Sequence, residues 1–321
     1  MKKNSEKFIQ GLKEENLSLV EQVEKSDLHS HAERGASKNY FEKLYKVKIP
    51  DPIIFKSITE MDEWYDTNIS EYTKGFKGMV NKYISLFKTA QEQNIKVFSP
   101  AFCLSKLRYF DNNTGEYIKF IKTIQKQYAP DTEFYPELQL RREMNIEDAE
   151  KKFLEAAKYD FFKSIDLMGD EKIGTSKFKE LYKEAHKLGW ILKAHVGEFA
   201  DVSYMYKAID DLNLDAINHG LAAIQSDDLM KYLADSRTMV NICPTSNVLL
   251  SRVHSYKEHP IRSFVDSGIL CSLNTDDLLI FNQTVSQEYL NLYNNGVLGA
   301  EELNQIRVDG LTKCLTKKRK I

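Results

Sequence analysis

The sequence predicts a (β/α)8 barrel, with residues 1–321 forming a single domain and extra helices covering the mouth of the barrel. Two observations support this fold class. Short apolar runs alternate with helical patterns along the chain, and eight of these runs are candidate strands. The last five runs end near positions 166, 195, 219, 243 and 274, so that 24 to 31 residues separate successive ends. That spacing is the length of one strand followed by one crossover helix.

Each candidate strand is a short apolar run that ends in polar residues, and the eight runs are residues 25–29, 95–100, 132–138, 161–167, 190–195, 216–219, 238–243 and 268–274. The third run is weak because Pro136 disfavours an interior strand position. The first gap is too long for one crossover, so residues 40–90 are predicted to add helices over the mouth. An open doubly wound sheet is the alternative fold, but no G-x-G-x-x-G follows the first strand.

Composition excludes several classes of protein. The net charge of −2, from 45 basic and 47 acidic residues, argues against a nucleic-acid partner. No apolar run approaches the length of a membrane span, and the first residues are too polar for a signal peptide, so we expect a cytoplasmic protein. The cysteines at positions 103, 243, 271 and 314 lack C-x-x-C spacing and are predicted to be reduced thiols. A chain of this length buries roughly three quarters of its surface, so we expect a monomer or a weak homo-oligomer.

Histidines and carboxylates cluster at the ends of the candidate strands. His29 and His31 close the first strand, and side chains two residues apart on a strand point to the same face. His195 and His219 end the fifth and sixth strands, and Asp276 begins an acidic pair after the eighth. In a closed barrel these strand ends meet at one mouth, where barrel enzymes place their sites. The pattern predicts a single metal ion, and the ligand types suit zinc.

Two further residues could serve a zinc-activated water. Glu198, three residues after His195, is a candidate proton donor to the substrate, and His219 is a candidate to lie beside the water.

Taken together, the motifs resemble those of the adenosine deaminase family, in the same order. They are DLHSH at 27–31, HVGE at 195–198, NHG at 218–220, CPTSN at 243–247 and SLNTDD at 272–277, and DLMGDE at 166–171 resembles the strand-4 segment of that family. The resemblance spans about residues 27–282, although residues 40–160 match poorly. It implies a zinc-dependent hydrolytic deamination of adenosine, or of a related and possibly 5′-modified adenine nucleoside, to the inosine-type product and ammonia.

The resemblance also implies roles for individual residues. His29, His31, His195 and Asp276 would bind one zinc per chain. Glu198 would protonate the purine ring nitrogen next to the amino-bearing carbon. His219 would orient and deprotonate the zinc water and stabilise the developing alkoxide. The remaining roles concern the substrate and the supporting turn: Asp277 would bond the imidazole side of the purine, the backbone N–H of Gly169 would bond the opposite ring nitrogen, and residues 245–247 would support the site.

The sequence departs from the family after the His-x-His motif. The family commonly has a short acid followed by Gly, and the acid contacts the 5′-hydroxyl of the sugar. Here the segment is Ala32-Glu33-Arg34-Gly35, which places a longer acid and an added cation at this point. Glu33 is the candidate for the sugar contact, and Arg34 can pair with a nearby carboxylate, Glu33 included. Sugar specificity is therefore the property that this segment is predicted to change.

Other functions remain as alternatives. Free adenine or another aminopurine compound could replace the nucleoside as substrate. A two-metal amidohydrolase usually needs a bridging group at the end of strand 4, and Lys163 lies too early in the strand to supply it. A cytidine-type zinc deaminase needs a P-C-x-x-C that this chain lacks. A binding protein without catalysis would be expected to have lost a ligand or the acid. His254 and His259 are predicted to be loop residues, with His259-Pro260 also a candidate start of a helix. The Arg141-Arg142-Glu143 cluster is a candidate to line the mouth.

Overall fold

Parallel strands of the chain form a barrel in the computed structural model, which describes residues 2–313. The strands are β1 Lys25–His31, β2 Ile95–Phe102, β3 Glu133–Phe134, β4 Glu137–Arg141, β5 Ser164–Met168, β6 Ile191–Val196, β7 Ala216–His219, β8 Met239–Ile242 and β9 Cys271–Leu273. They are ordered β1-β2-β4-β5-β6-β7-β8-β9, and β3 pairs with β2 beside this path. The predicted fold class is confirmed. Cys314, one of the cysteines predicted to be reduced, lies outside the described residues.

The barrel closes beside its mouth, between the first and last strands. Ser30 forms a parallel bridge with Asp276, just beyond the end of β9. The backbone N–H of His31 donates to the carbonyl oxygen of Asp276 at 3.2 Å, and the N–H of Asp276 donates to that of His29 at 3.0 Å. Closure of the barrel therefore brings the His-x-His segment and the acidic pair together through main-chain hydrogen bonds.

The weak third strand of the prediction is two short strands. Pro136 separates β3 from β4, and both segments pair with β2. Proline has no N–H to donate to a neighbouring strand, which explains the interruption. The N–H of Tyr135 still donates to the carbonyl oxygen of Phe98 at 2.8 Å, so the chain stays at the barrel wall through the break.

Helices surround the barrel and also cover its mouth. The α-helices are α1 Lys2–Lys13, α2 Leu17–Glu21, α3 Lys38–Tyr45, α4 Ile58–Asn68, α5 Ser70–Thr73, α6 Gly75–Glu92, α7 Thr114–Tyr128, α8 Ile146–Ala157, α9 Lys179–Lys187, α10 Val202–Leu212, α11 Asp227–Ser236, α12 Pro244–Leu249, α13 Ile261–Asp266, α14 Leu278–Phe281, α15 Val285–Asn294 and α16 Ala300–Thr312. Short 3-10 helices cover Leu104–Tyr109, Ser176–Phe178, Leu221–Gln225 and Tyr256–Glu258. No helix among residues 2–313 combines the length and the apolar character needed to cross a membrane.

Residues 40–90 of the long first connection were predicted to cover the mouth, and only the first part of them does so. Phe41, on α3, packs in one buried cluster with Leu279 of α14, which lies in the connection after β9. Phe55 and Met61 pack in a second cluster with Phe281. The later part of the connection, α6, packs instead into the main core, where it buries Tyr83 and Phe87. Residues 38–73 therefore cover the mouth, and α6 is an ordinary crossover helix.

Candidate active site

Four histidines converge at the carboxyl ends of three strands. His29 and His31 come from β1, His195 from β6 and His219 from β7, and all four are buried. The imidazole centroid of His29 lies 4.6 Å from that of His195, 5.0 Å from that of His31 and 5.1 Å from that of His219. The predicted convergence on one barrel mouth is therefore present in the structure.

These side chains could hold a metal ion. Potential ligand atoms of His29, His195, His219 and Asp276 all lie within 4.8 Å of one another, and His31 forms a second such group with Asp276 and Asp277. Oδ1 of Asp276 lies 3.2 Å from Nε2 of His31 and 3.5 Å from Nε2 of His29. All four predicted ligands thus meet around the Asp276 carboxylate, and His219 lies next to them.

His29 supplies the observation that fits a metal best. Its imidazole is completely buried, yet neither ring nitrogen has a hydrogen-bond partner among residues 2–313. Leaving a buried polar atom without a partner costs about 1–3 kcal/mol, so such atoms are rare in folded proteins. A metal ion would satisfy one of these nitrogens.

Polar side chains behind the cluster hold the candidate ligands in place. A carboxylate oxygen of Asp166 lies 3.1 Å from Nδ1 of His195, and Asn218 donates to Asp166 at 2.9 Å. Burial alone would raise the pKa of Asp166, but the neighbouring His195 outweighs burial and holds that pKa well below its usual value. Ser246 donates to Oδ2 of Asp276 at 2.7 Å, which leaves Oδ1 facing the histidines. Such contacts fix the orientation of metal ligands.

Two site residues have left-handed backbone conformations. His219 has φ of 66° and Asp276 has φ of 55°, although neither is a glycine. Left-handed backbone is uncommon for residues with a side chain, and it occurs preferentially where function requires a particular placement. His219 is the last residue of β7 and Asp276 lies three residues beyond the end of β9, so this conformation turns both residues at the barrel mouth.

Glu198 lies in the turn after β6 and faces the cluster. The carboxylate of Glu171 accepts hydrogen bonds from the backbone N–H groups of Gly197, Glu198 and Phe199, the last two at 2.9 and 2.8 Å. Oε2 of Glu198 lies 3.5 Å from Nε2 of His219. Burial, followed by the charge of Asp276, raises the pKa of Glu198 well above its usual value. A raised pKa favours the protonated form of the Glu198 carboxyl, which is the form that can donate a proton.

Arg142 and Glu171 are supporting residues that the sequence did not reveal. Arg142 is 1% exposed and donates to the carbonyl oxygens of His195 at 2.6 Å and of Glu171 at 3.3 Å. It therefore lies inside the protein and bonds to the backbone of the site, while Arg141 and Glu143 are exposed, so a place for this cluster at the mouth stays a prediction. In the Arg-Arg-Glu cluster the exposed Arg141 pairs with Glu143, so the two arginines have different environments. Adjacent strand residues point to opposite faces, which is the signal that could have separated them.

Gly169 has a backbone conformation that strongly favours glycine. Its φ is 105°, a value that residues with a side chain rarely adopt. The neighbouring Glu143 carboxylate accepts a hydrogen bond from the N–H of Asp170 at 2.7 Å. The positive φ explains why a glycine follows β5, while contact of its N–H with a purine remains a prediction.

Glu33 and Arg34 have separate sets of partners. The carboxylate of Glu33 lies 2.7 Å from the ammonium of Lys82 and 2.8 Å from that of Lys106, and it accepts from the hydroxyl of Tyr83 at 2.8 Å. Burial alone would raise the pKa of Glu33, but the two lysines outweigh burial and lower it. Lysine and tyrosine partners therefore already occupy both oxygens of the residue expected at the sugar hydroxyl.

Arg34 bridges the acidic pair and the cover over the mouth. It donates to Asp277 at 3.2 Å and to Asp62 of α4 at 2.6 Å, and its guanidinium lies 5.2 Å from the ring centroid of Tyr65. Arg34 thus pairs with nearby carboxylates as predicted, but Glu33 is not one of them. The bridge connects the predicted purine-binding carboxylate to the helix above it.

His259 lies in the short loop before α13, as the sequence predicted, but its side chain is buried and contacts a neighbour of His219. It is 2% exposed, and its Nε2 lies 3.2 Å from Oδ1 of Asn247. The amide of Asn247 in turn lies 3.2 Å from Nδ1 of His219. His254 is exposed, as expected for a loop residue.

Comparison with known proteins adds the family. The model of the adenosine deaminase family matches residues 139–320, which is more than half of the chain. A Treponema pallidum (strain Nichols) protein, provisionally named an adenosine/adenine deaminase, is 28% identical over 295 residues, covering 88% of this chain and 96% of the relative.

Solved structures share the fold at lower identity. The adenine deaminase of Arthrobacter aurescens has a TM-score of 0.74 at 18% identity, over 89% of this chain and 93% of that one. An amidohydrolase from Burkholderia ambifaria with bound Zn has a TM-score of 0.74 at 17% identity, over 92% of this chain and 86% of that one. The fold, the convergent histidines and the match over residues 139–320 lead to one conclusion: the chain belongs to the adenosine deaminase family.

Proposed function

We propose that this protein is a deaminase that uses one zinc ion per chain to replace the amino group of adenosine, or of a related 5′-modified adenine nucleoside, with oxygen from water. The products are the inosine-type nucleoside and ammonia. The family match supports hydrolytic deamination of an adenine-type compound. The proposal adds to this match that the metal is zinc and that the substrate is a nucleoside.

Free adenine is a second candidate substrate. The observation in its favour is the environment of Glu33, whose carboxylate oxygens contact Lys82, Lys106 and Tyr83. These partners use much of the hydrogen-bonding capacity of Glu33, and a site that binds the sugar hydroxyl weakly gains little specificity from it. The name of the Treponema pallidum relative includes both adenosine and adenine.

The zinc ligands in this proposal are His29, His31, His195 and Asp276. Imidazole nitrogens and a carboxylate oxygen form a donor set that suits zinc, and the unpartnered nitrogens of His29 support the assignment. When bound by these residues, zinc would supply a water of pKa about 7, which is a nucleophile available near neutral pH. A two-metal site is disfavoured, because Lys163 is exposed and pairs with Asp160 away from the cluster.

His219 is proposed to lie beside the ligands without being one of them. Its Nδ1 contacts the amide of Asn247, and its Nε2 lies 3.5 Å from the carboxyl of Glu198. Potential ligand atoms of His219, His29, His195 and Asp276 lie within 4.8 Å of one another, so His219 could bind the metal in place of His31. The zinc content of a His219 variant distinguishes the two arrangements.

Glu198 is the proposed proton donor to the purine ring. Its buried carboxyl holds a proton because burial and the charge of Asp276 raise its pKa. Donation to the ring nitrogen next to the amino-bearing carbon makes that carbon more electrophilic, so that water oxygen adds there and ammonia leaves. Asp277 is proposed to bond the imidazole side of the purine, and the N–H of Gly169 the opposite ring nitrogen.

The observation that carries the proposal is the completely buried, unpartnered His29 next to Asp276. The test is a comparison of zinc content and ammonia release in His195→Ala and His219→Ala. We expect His195→Ala to lose both, and His219→Ala to keep stoichiometric zinc while turnover falls at least about 10²-fold. His254→Ala, which changes an exposed histidine, is the control and should match the wild type. Tightly bound zinc in His195→Ala, or loss of zinc in His219→Ala, would overturn the ligand assignment.

A further inference from the structure

Three buried side chains form a continuous hydrogen-bonded chain that ends at the site. Nε2 of His259 lies 3.2 Å from Oδ1 of Asn247, and Nδ2 of Asn247 lies 3.2 Å from Nδ1 of His219. The three residues are 2%, 0% and 1% exposed, respectively, so water does not compete for these contacts. The chain connects the beginning of α13 with the carboxyl end of β7.

A backbone N–H group determines which atoms donate and which accept in these hydrogen bonds. The N–H of Ile261 donates to Nδ1 of His259 at 3.1 Å. Ile261 is the first residue of α13, and an N–H in the first turn of a helix has no acceptor within the helix. A peptide N–H can only donate, so Nδ1 of His259 carries no proton. Burial lowers the pKa of His259 to about 3, so the ring is neutral and its one proton is on Nε2.

The orientation of the Asn247 amide follows from His259. Nε2–H of His259 donates to Oδ1 of Asn247, and Nδ2 of Asn247 therefore faces His219. Rotating the amide by half a turn would place its N–H group against Nε2 of His259. Both nitrogens of His259 would then have to accept hydrogen bonds, which a neutral imidazole cannot do. Only one arrangement of the amide is consistent with all the contacts.

We infer that Asn247 and His259 are positioning residues that fix the proton of neutral His219 on Nε2, so that His219 faces the reacting centre as a hydrogen-bond donor. Nδ1 of His219 accepts from Asn247, and the other nitrogen therefore carries the proton. This inference rests on the proposed deaminase function of the same site. It retains the expected role of His219 in orienting water and stabilising a developing alkoxide. Because Nε2–H has no free electron pair, the proton of the attacking water would pass not to His219 but to the carboxylate of Asp276, whose Oδ1 faces the histidines, and from there to the departing amino group.

The first test is the tautomer itself. Protein with isotope-labelled histidine and bound zinc is examined by 15N–1H correlation spectra, and the His219 signals are assigned with His219→Gln. We expect the Nε2–H tautomer in the wild type. A proton on Nδ1 would overturn the inference, and this readout does not depend on activity or on the identity of the substrate.

The second test is Asn247→Asp, which keeps the size of the side chain and should exchange the donor and acceptor in its hydrogen bond with His219. In Asn247→Asp the carboxylate can only accept, so it takes a hydrogen bond from Nε2–H of His259 and requires a proton on Nδ1 of His219. We expect Nδ1 to become protonated and kcat to fall about 10- to 100-fold, while zinc stays stoichiometric and KM changes less than threefold. A proton that stays on Nε2 alone, or kcat within twofold of the wild type despite a moved proton, would overturn the inference.

Substitutions of His259 separate positioning from packing. His259→Leu removes the donor to Oδ1 of Asn247, and we expect kcat to fall as in Asn247→Asp. His259→Gln offers an amide N–H to the same oxygen and should restore at least part of kcat, whereas equal losses in both variants would contradict a positioning role. His254→Gln is the matched control in the same segment. If the wild type releases no ammonia from any aminopurine, the proposed function fails, while the tautomer measurement still decides the inference.

Discussion

Replacing Glu171 with glutamine should loosen the turn that holds Glu198, the proposed acid catalyst. Glu171 is 2% exposed, and its two carboxylate oxygens accept from three successive backbone N–H groups of residues 197–199. Glutamine keeps one oxygen for Glu198 and Phe199 but places an NH2 group against the N–H of Gly197. A hydrogen bond to a charged group contributes about 1.5–3 kcal/mol, so we expect Glu171→Gln to lower the free energy of unfolding by about 2–3 kcal/mol.

This loss is measurable in two assays. Unfolding entropies of about 2.1 cal/mol/K per residue convert it, for this chain, into a Tm lower by roughly 3–4 °C in thermal denaturation. A displacement of Glu198 by about 1 Å can cost up to roughly 10²-fold in kcat, measured by ammonia release. Glu184→Gln, an equal change at an exposed ion pair with Lys187, is the control and should leave Tm and kcat unchanged. If Glu171→Gln retained Tm within 1 °C and kcat within twofold, the stabilising role of Glu171 would be refuted.

Three further predictions each rest on the surroundings of one glutamate side chain. Because both oxygens of Glu33 have partners, 5′-deoxyadenosine should be deaminated with kcat/KM within about tenfold of adenosine, and a loss beyond about a hundredfold would mean that the hydroxyl is recognised. Glu198→Gln should lower kcat by about 10²–10⁴-fold with zinc retained, and a change within threefold would count against acid catalysis. Burial raises the pKa of Glu288 from 4.5 to about 8. Between these pH values the folded protein holds a proton that the unfolded chain has lost, so the free energy of unfolding falls as pH rises. The stability lost between pH 6 and pH 8 in urea titrations should therefore be smaller in Glu288→Gln than in the wild type, and an equal loss in both proteins would refute this.

The barrel was predictable because its strands are short apolar runs with regular spacing. The His-x-His pair, His195, His219 and Asp276 were predictable for a related reason: polar residues at the ends of such runs must meet once the barrel closes. The break at Pro136 follows from the missing N–H, although the sequence did not show that both halves would pair with β2.

The supporting contacts were not predictable, because they join segments far apart in the sequence. Glu171 lies 26 residues from Gly197, and Arg142 lies 53 residues from His195. No periodicity connects such pairs. The same holds for Glu33, whose unusual position was visible in the sequence, whereas its partner Lys82 lies 49 residues away. The sequence shows that His259 precedes a proline, but it does not show that Asn247 lies beside the imidazole.

In the proposed function, one zinc ion at the barrel mouth supports deamination of an adenine nucleoside. The most direct measurement is the zinc content of the purified protein, taken together with ammonia release from adenosine before and after removal of the metal. We predict one zinc per chain, loss of ammonia release on chelation and recovery when zinc is returned. Two metals per chain, or undiminished ammonia release from metal-free protein, would contradict the account.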